Sequence, residues 1–186
     1  MEATFEALST YGYADLTIQR IADAFPKSKS LLYYHYDDKE AILREFLDWL
    51  VDEFRTEVER DFETTLQEDP KAAFEGLVDD LLPWELSDEE RTFRVALLAL
   101  QARAAHDPVY AERFDDLFAS IEAALVTVIE QGIEQGVFRE VDPQPTARLV
   151  LAAASGGITW TLCTGAAADP GVRAALDAVL ESQLYV

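Results

Sequence analysis

Apolar residues recur at spacings of three and four along almost the whole chain, the period of a helix buried on one side. Residues 2–11 place Phe5 and Leu8 toward a core, with Thr4 and Tyr11 beside them, and Gly12 supplies the left-handed conformation that ends a helix. Thr17 is positioned to cap the next helix, in which Ile18, Ile21, Ala22 and Phe25 form one apolar face. Pro26 cannot continue a helix interior, so the chain turns there. Ser28 caps a second short helix carrying Lys29, Leu31, Leu32, Tyr33, Tyr34, His35 and Tyr36, with Leu32 and Tyr36 on its core side. Two helices joined by a turn of about three to four residues suit a helix-turn-helix, whose second helix enters the DNA major groove.

Further along, residues 38–66 read as one long helix, with Phe46, Leu50, Phe54, Val58 and Phe62 among its apolar positions. Pro70 opens a helix over 71–82, and Pro83 to Asp88 break it. Ser87 or Asp88 caps a helix reaching Ala105 that is apolar nearly all round, which predicts a central position. A turn at His106-Asp107-Pro108 precedes a helix over 108–135, bracketed at its end by Gly132 and Gly136. The last pair covers 144–164, with Ala152, Ala153, Ala154, Ser155, Gly156 and Gly157 in its middle, and 172–184. The expected fold is therefore all-α, with a helix-turn-helix near its N-terminus.

Charge singles out the helix-turn-helix again. The chain carries 15 basic and 36 acidic side chains, a net −21. Residues 16–36 reverse that sign, with Arg20, Lys27 and Lys29 against Asp23. Of only four lysines, Lys27, Lys29 and Lys39 lie in or beside this segment. A protein this acidic repels DNA, so a local reversal of sign marks a place where DNA is tolerated. The competing interpretation is a helical hairpin with a few solvated lysines, in a non-DNA-binding helical dimer that acts as a protein-interaction module.

Other chemistries find little support. No Cys/His cluster, phosphate-binding glycine loop, nucleophile elbow or acid–base constellation is present, so neither an enzyme, a metal site nor a bound cofactor is expected. No apolar run reaches the ~18 residues that span a bilayer. The N-terminus has no signal-peptide pattern, and the single Cys163 cannot form an internal disulfide, which predicts a reduced, cytoplasmic setting. The excess of carboxylates, with arginine outnumbering lysine, resembles the halophilic pattern of an acidic surface that holds water and cations.

Residues Phe5 to about Trp49 resemble the tetracycline-repressor (TetR) family of transcriptional regulators. The likeness is carried by Tyr11-Gly12-Tyr13, Leu16-Thr17-Ile18, Arg20-Ile21-Ala22, Ser28-Lys29-Ser30, and above all by Leu32-Tyr33-Tyr34-His35-Tyr36 followed by Lys39-Glu40-Ala41-Ile42-Leu43. It implies an N-terminal three-helix helix-turn-helix domain over 1–45 and a C-terminal helical ligand-binding and dimerisation domain over 46–186, joined by the helix over 38–66 with no flexible linker, which suits mechanical coupling. It also implies a homodimer that binds a pseudo-palindromic, double-stranded operator and releases it when a small-molecule effector occupies the C-terminal domain. By position, Thr17, Tyr34, His35 and Lys39 resemble backbone-phosphate contacts, while Gln19, Lys29, Ser30, Leu31 and Tyr33 resemble residues that face base edges. Lysine suits guanine O6/N7, glutamine suits adenine, and an apolar group suits the thymine methyl. Two positions depart from the family. Pro26 stands where the turn usually has glycine, and Lys27 stands where a small apolar residue is usual, so its amine is expected at solvent or a phosphate. The first helix also begins earlier in the family, behind a short arm; here the chain either lacks that arm or is truncated.

The final helix pair, rich in small residues, matches the family's four-helix dimer interface, and Ala153 and Gly157 are expected in it. For the effector, Phe93, Leu97, Gln101, Phe114, Phe118 and Trp160 are candidates for lining a mostly apolar cavity with a few polar groups. With so few basic residues there, an apolar, neutral or cationic molecule is expected over an anionic one.

Overall fold

A computed structural model describes residues 1–25, 29–57, 63–164 and 170–186. Among them lie ten helices: α1 (Glu2–Tyr11), α2 (Ile18–Ala24), α3 (Lys29–His35), α4 (Lys39–Glu57), α5 (Glu63–Glu68), α6 (Pro70–Leu81), α7 (Asp88–Ala104), α8 (Pro108–Glu134), α9 (Pro143–Cys163) and α10 (Pro170–Gln183). The β-structure among the described residues is one isolated antiparallel bridge, Phe138 to Tyr185. The chain is thus all-α, as its periodicity predicts.

The helix ends follow their local chemistry. Gly12 ends α1 at φ 68°, a conformation that costs a residue with a Cβ, while its N–H donates to the Leu8 carbonyl at 2.9 Å. Thr17 accepts from the Arg20 N–H at the start of α2, and Asp69 accepts from Ala72 N–H at the start of α6. Ser87 and Glu90 form a reciprocal capping box on α7. Where 38–66 reads as one helix, α4 covers Lys39–Glu57 and α5 covers Glu63–Glu68. Val58 and Phe62, with the rest of 58–62, lie outside the described residues.

The chain packs as two compact units, residues 1–53 with 86–117, and residues 54–85 with 118–186. This division is a different cut from the functional one expected at residue 45, because α7 packs against α1.

In the first unit, Leu8, Leu16, Ile21, Ile42, Leu43, Phe46 and Leu47 are fully buried. The buried stripe of α1 is Thr4, Ala7 and Leu8 with Ala3 and Ser9, not Phe5 and Tyr11. Those two rings lie at the edges of the stripe, Phe5 against Phe93 with centroids 4.6 Å apart and Tyr11 beneath the Arg20 guanidinium at 4.5 Å. The expectation of a central α7 is also corrected. Only Ala96 and Leu100 are buried on it, and Val95 is exposed, so α7 contributes one stripe to a core and keeps another face open.

The second unit centres on Phe74, Leu125, Val128, Ile129, Ala147 and Ala154. Phe138 stacks on Tyr185 at 5.6 Å and meets Phe74 edge-on, and a Cβ on Gly132 would come within 2.1 Å of the Phe138 ring. Arg173, buried in α10, donates to Asp177 at 2.9 Å, to Asp79 at 2.6 Å and to the Leu82 carbonyl at 2.8 Å. Burial opposes its charge, but the two carboxylates outweigh that and raise its pKa. Gly157 faces inward here. A Cβ would meet Val172 at 2.8 Å and Leu82 at 3.0 Å, so its small size serves packing within the chain, not the dimer contact expected of it.

Candidate nucleic-acid interface

Helices α2 and α3 are presented on a core of Leu16, Ile21, Ala22 and Leu32, all buried. Because Leu32 faces inward, the helical period turns its neighbours outward: Tyr33 is 51% exposed, Tyr34 is 83% exposed, and His35 is exposed beside it. The rings of Tyr34 and His35 meet edge-on at 5.3 Å. Tyr36 returns toward the protein, as expected of it, and donates its hydroxyl to Glu45 at 2.5 Å. Burial first, and then the Glu45 carboxylate, pushes its pKa up to about 12.

The ten expected DNA-facing residues fall into three groups. Gln19, Tyr33, Tyr34 and His35 share the exposed surface of α2 and α3. Gln19 bridges the two helices: its amide donates to Asp23 at 2.9 Å and accepts from the Tyr33 hydroxyl at 3.4 Å. These two bonds fix the orientation of the Gln19 side chain on the exposed surface. Thr17 and Lys39 sit at helix starts. Thr17 caps α2, and Lys39 donates to the Leu16 carbonyl at 3.4 Å with its amine 4.7 Å over the Tyr13 ring. Lys39 is thus held against the α1–α2 junction, at the N-terminus of α4. In the third group, Lys29, Ser30 and Leu31 form the first turn of α3, described for their backbone only, and Lys27, with Pro26 and Ser28, lies outside the described residues.

Arg20, the other local cation, is engaged elsewhere. It stacks on Tyr11 and donates to the Asp15 carbonyl, with the Asp15 carboxylate 3.8 Å away.

The sequence reading missed a polar cluster behind this surface. Arg103, near the end of α7, lies 2.6 Å from Glu40 at the start of α4 and donates to the Tyr13 hydroxyl at 2.6 Å. The fully buried Tyr110 donates to the same Glu40 carboxylate at 2.9 Å. The Tyr13 hydrogen bond, ahead of the Glu40 charge, raises the Arg103 pKa, and burial with the Glu40 contact drives that of Tyr110 upward. No spacing rule reveals such a cluster, because its members come from four separate parts of the chain.

The expected effector residues are distributed over both packing units. Phe93 and Leu97 on α7 line a cleft together with Phe5 and Ser9 of α1. Gln101 is half-buried farther along α7, and Phe114 is buried at the first unit's end of α8. Phe118 and Trp160 belong to the second unit, and Trp160 stands 58% exposed on α9.

Comparison with known proteins agrees with this geometry. Residues 1–46 match the pattern of bacterial regulatory proteins of the tetR family, and residues 70–184 match that of the BetI-type transcriptional repressor C-terminal domain. A TetR transcription regulator from Haloarcula marismortui is 34% identical, over 98% of this chain and 95% of its own, with a TM-score of 0.80. A choline-bound transcriptional regulator from Saccharomonospora viridis shares the fold at 22% identity and a TM-score of 0.78, covering 100% of this chain and 95% of its own. The transcriptional repressor AcnR of Corynebacterium efficiens is 23% identical over 96% of this chain and 87% of its own length. Among the described residues no helix is long and apolar enough to cross a membrane. The helix-turn-helix and the helical C-terminal region are therefore those of a transcriptional regulator, not an enzyme, and the chain belongs to the TetR family.

Proposed function

We propose that this regulator is a homodimeric repressor that binds a pseudo-palindromic operator and lets go of it when a small molecule occupies the protein. The carrying observation is the exposed face of α2 and α3, where Gln19, Tyr33, Tyr34 and His35 stand together in a protein of net −21. Residues 1–45 read the DNA, with Lys27, Lys29, Ser30 and Leu31 joining that face and Thr17 and Lys39 holding phosphates. Residues 46–186 carry effector binding and dimerisation. The setting is the cytoplasm, where operator DNA is.

An open stripe on α9 supports the dimer. Leu149, 62% exposed, is followed by Ala152, Gly156, Trp160 and Cys163, all exposed and spaced along one helical face. On α10, Ala175, Ala178 and the exposed Val179 continue the theme of small apolar side chains. Such a surface lets two helices approach closely and calls for a partner in water. A dimer would present two recognition helices to half-sites about one helical turn or more apart. Ligand release is supported by the Saccharomonospora viridis structure, which holds choline.

The test combines fluorescence anisotropy on the DNA upstream of the protein's own gene with size-exclusion chromatography and light scattering. A dimer that prefers one palindromic sequence, and loses it to a small molecule, is the expected result. A stable monomer, or equal affinity for every sequence, overturns the proposal and favours the protein-interaction module.

A further inference from the structure

Hydroxyls inside helices usually return to the carbonyl one turn back. Thr92, Thr127, Thr146 and Thr159 all do so here, at 2.7–2.9 Å. Ser9 of α1 does not. Its side chain is 3% exposed, and its Oγ has no hydrogen-bond partner. A buried hydroxyl without a partner is costly to keep, and it marks a place where a partner belongs.

Ser9 lines a cleft of about 340 Å³ between α1 and the first half of α7, within the first packing unit. The volume is at the small end for ligand sites. Its walls are Phe5, Phe93 and Leu97, and the two phenyl rings are tilted at 51°. Depth follows exposure: Ser9 is buried, Phe93 and Leu97 are half-buried, and Glu89 and Glu90 at the other end are exposed. The Ser87 hydroxyl and N–H hold Glu90 ionised, at 2.6 and 2.8 Å. Arg94 also lines the cleft, and its charge acts on Glu90, which leaves Glu89 as the second carboxylate at that end. The start of α7 does not invite an anion, because the capping box satisfies it and Asp88, Glu89 and Glu90 already fill its first turn.

We infer that this cleft binds a small aromatic amine bearing a hydroxyl group. Its ring packs against Phe5, Phe93 and Leu97, its hydroxyl pairs with Ser9 Oγ, and its ammonium lies at Glu89 and Glu90. The apolar walls accept a ring of this size, and phenyl faces and carboxylates both favour a cation. The occupant would lie directly against α1, which packs on α2 of the helix-turn-helix. Its role as an effector, unlike its binding, rests on the regulator reading above.

Isothermal titration calorimetry on the full chain without DNA decides the binding. The probes are tyramine, phenethylamine, which lacks the hydroxyl, and 4-hydroxyphenylacetate, which replaces the cation with an anion. We expect saturable binding of one tyramine per chain, phenethylamine weaker by roughly three- to tenfold, and 4-hydroxyphenylacetate weaker still. Ser9→Ala should bring tyramine down to the level of phenethylamine and leave phenethylamine unchanged. Leu97→Trp, which fills the cleft, should abolish both. Absence of saturable tyramine binding, or equal tyramine affinity in the wild type and Ser9→Ala, overturns the assignment. Operator anisotropy with and without tyramine then tests the effector role. Release in the wild type and not in Leu97→Trp supports it, and tyramine binding without release overturns that role alone.

Discussion

Arg103 and Glu40 lie 63 positions apart in sequence and 2.6 Å apart in space, joining the end of α7 to the start of α4. Tyr13, which follows α1, and Tyr110, on α8, close the cluster from either side. Glu40 directly follows Lys39, the residue held over Tyr13 beside the α1–α2 junction. Paired charges therefore tie the end of α7 to the start of α4, beside the support of the helix-turn-helix. Both partners keep some exposure, so solvent screening limits the pair to the modest range. A double-mutant cycle with Arg103→Met and Glu40→Gln should give a coupling of about 1 kcal/mol in urea unfolding. Additive effects would show that the pair is an incidental surface contact.

On the proposed DNA-binding surface, base contacts and phosphate contacts should be separable by substitution. Lys29→Ala or Tyr33→Phe should relax preference for the operator over altered sequences by about 1–3 kcal/mol for each base interaction removed. Thr17→Val or Lys39→Ala should weaken every sequence alike, since phosphates carry no base information. Anisotropy against a panel of single-base operator variants measures both. Undiminished discrimination in the α3 variants would move recognition away from α3.

Neighbouring glycines on α9 should part company. Gly156 faces open space on the exposed stripe, whereas Gly157 is pressed against Val172 and Leu82 of its own chain. Gly156→Arg should leave the fold intact and yield monomers by light scattering. Gly157→Leu should instead lower stability by about 1–3 kcal/mol through overpacking. A dimer that survives Gly156→Arg places the interface elsewhere.

Much of this could be read from the residues in order. Thr17, Asp69 and Ser87 cap because a small oxygen stands just before an apolar period, and Gly12 ends a helix because it tolerates positive φ. The outward face of α3 was legible because Leu32 fixes its phase. What escaped needed three dimensions. Gly157 and Gly156 look alike in sequence, and only the position of Leu82 and Val172 tells inside from outside. Phe5 differs from its expected role because α7, some eighty residues on, packs beside α1. An apolar α7 signals burial, yet exposed Val95 shows that apolar content does not fix how many sides of a helix are covered.

The phenol of Tyr36 gives an alkaline signature. Its pKa is pushed up from the ordinary 10 to about 12 by burial and by the hydrogen bond to Glu45. Between those values the unfolded chain ionises there and the folded chain does not. The contribution is full below pH 10 and is lost as pH rises through about 12. Burial pushes Tyr110 and Tyr185 upward as well. Urea midpoints should fall across this window, and less steeply in Tyr36→Phe. Identical slopes for the variant and the wild type would remove Tyr36 from the account.

Salt brings two effects into opposition. Protein–DNA affinity ordinarily falls steeply as salt rises, because phosphate contacts release counterions. A chain of net −21 also repels DNA, and in a dimer that repulsion doubles. Long-range repulsion is screened first, since the Debye length is ~10 Å at 0.1 M and ~3 Å at 1 M. The proposed contacts from Lys29, His35 and Lys39 would act within a few ångströms and be screened less. Self-repulsion among 36 carboxylates loosens the compact state at low salt as well. If the acidic surface is a halophilic adaptation, folding and operator binding should persist or strengthen as KCl rises from about 0.1 M toward about 1 M. The salt slope should then be shallow or inverted. Circular dichroism and operator anisotropy across that range measure the two together. A protein that is folded at the low end and loses affinity steeply and monotonically would end the halophilic interpretation and leave membership of the TetR family untouched.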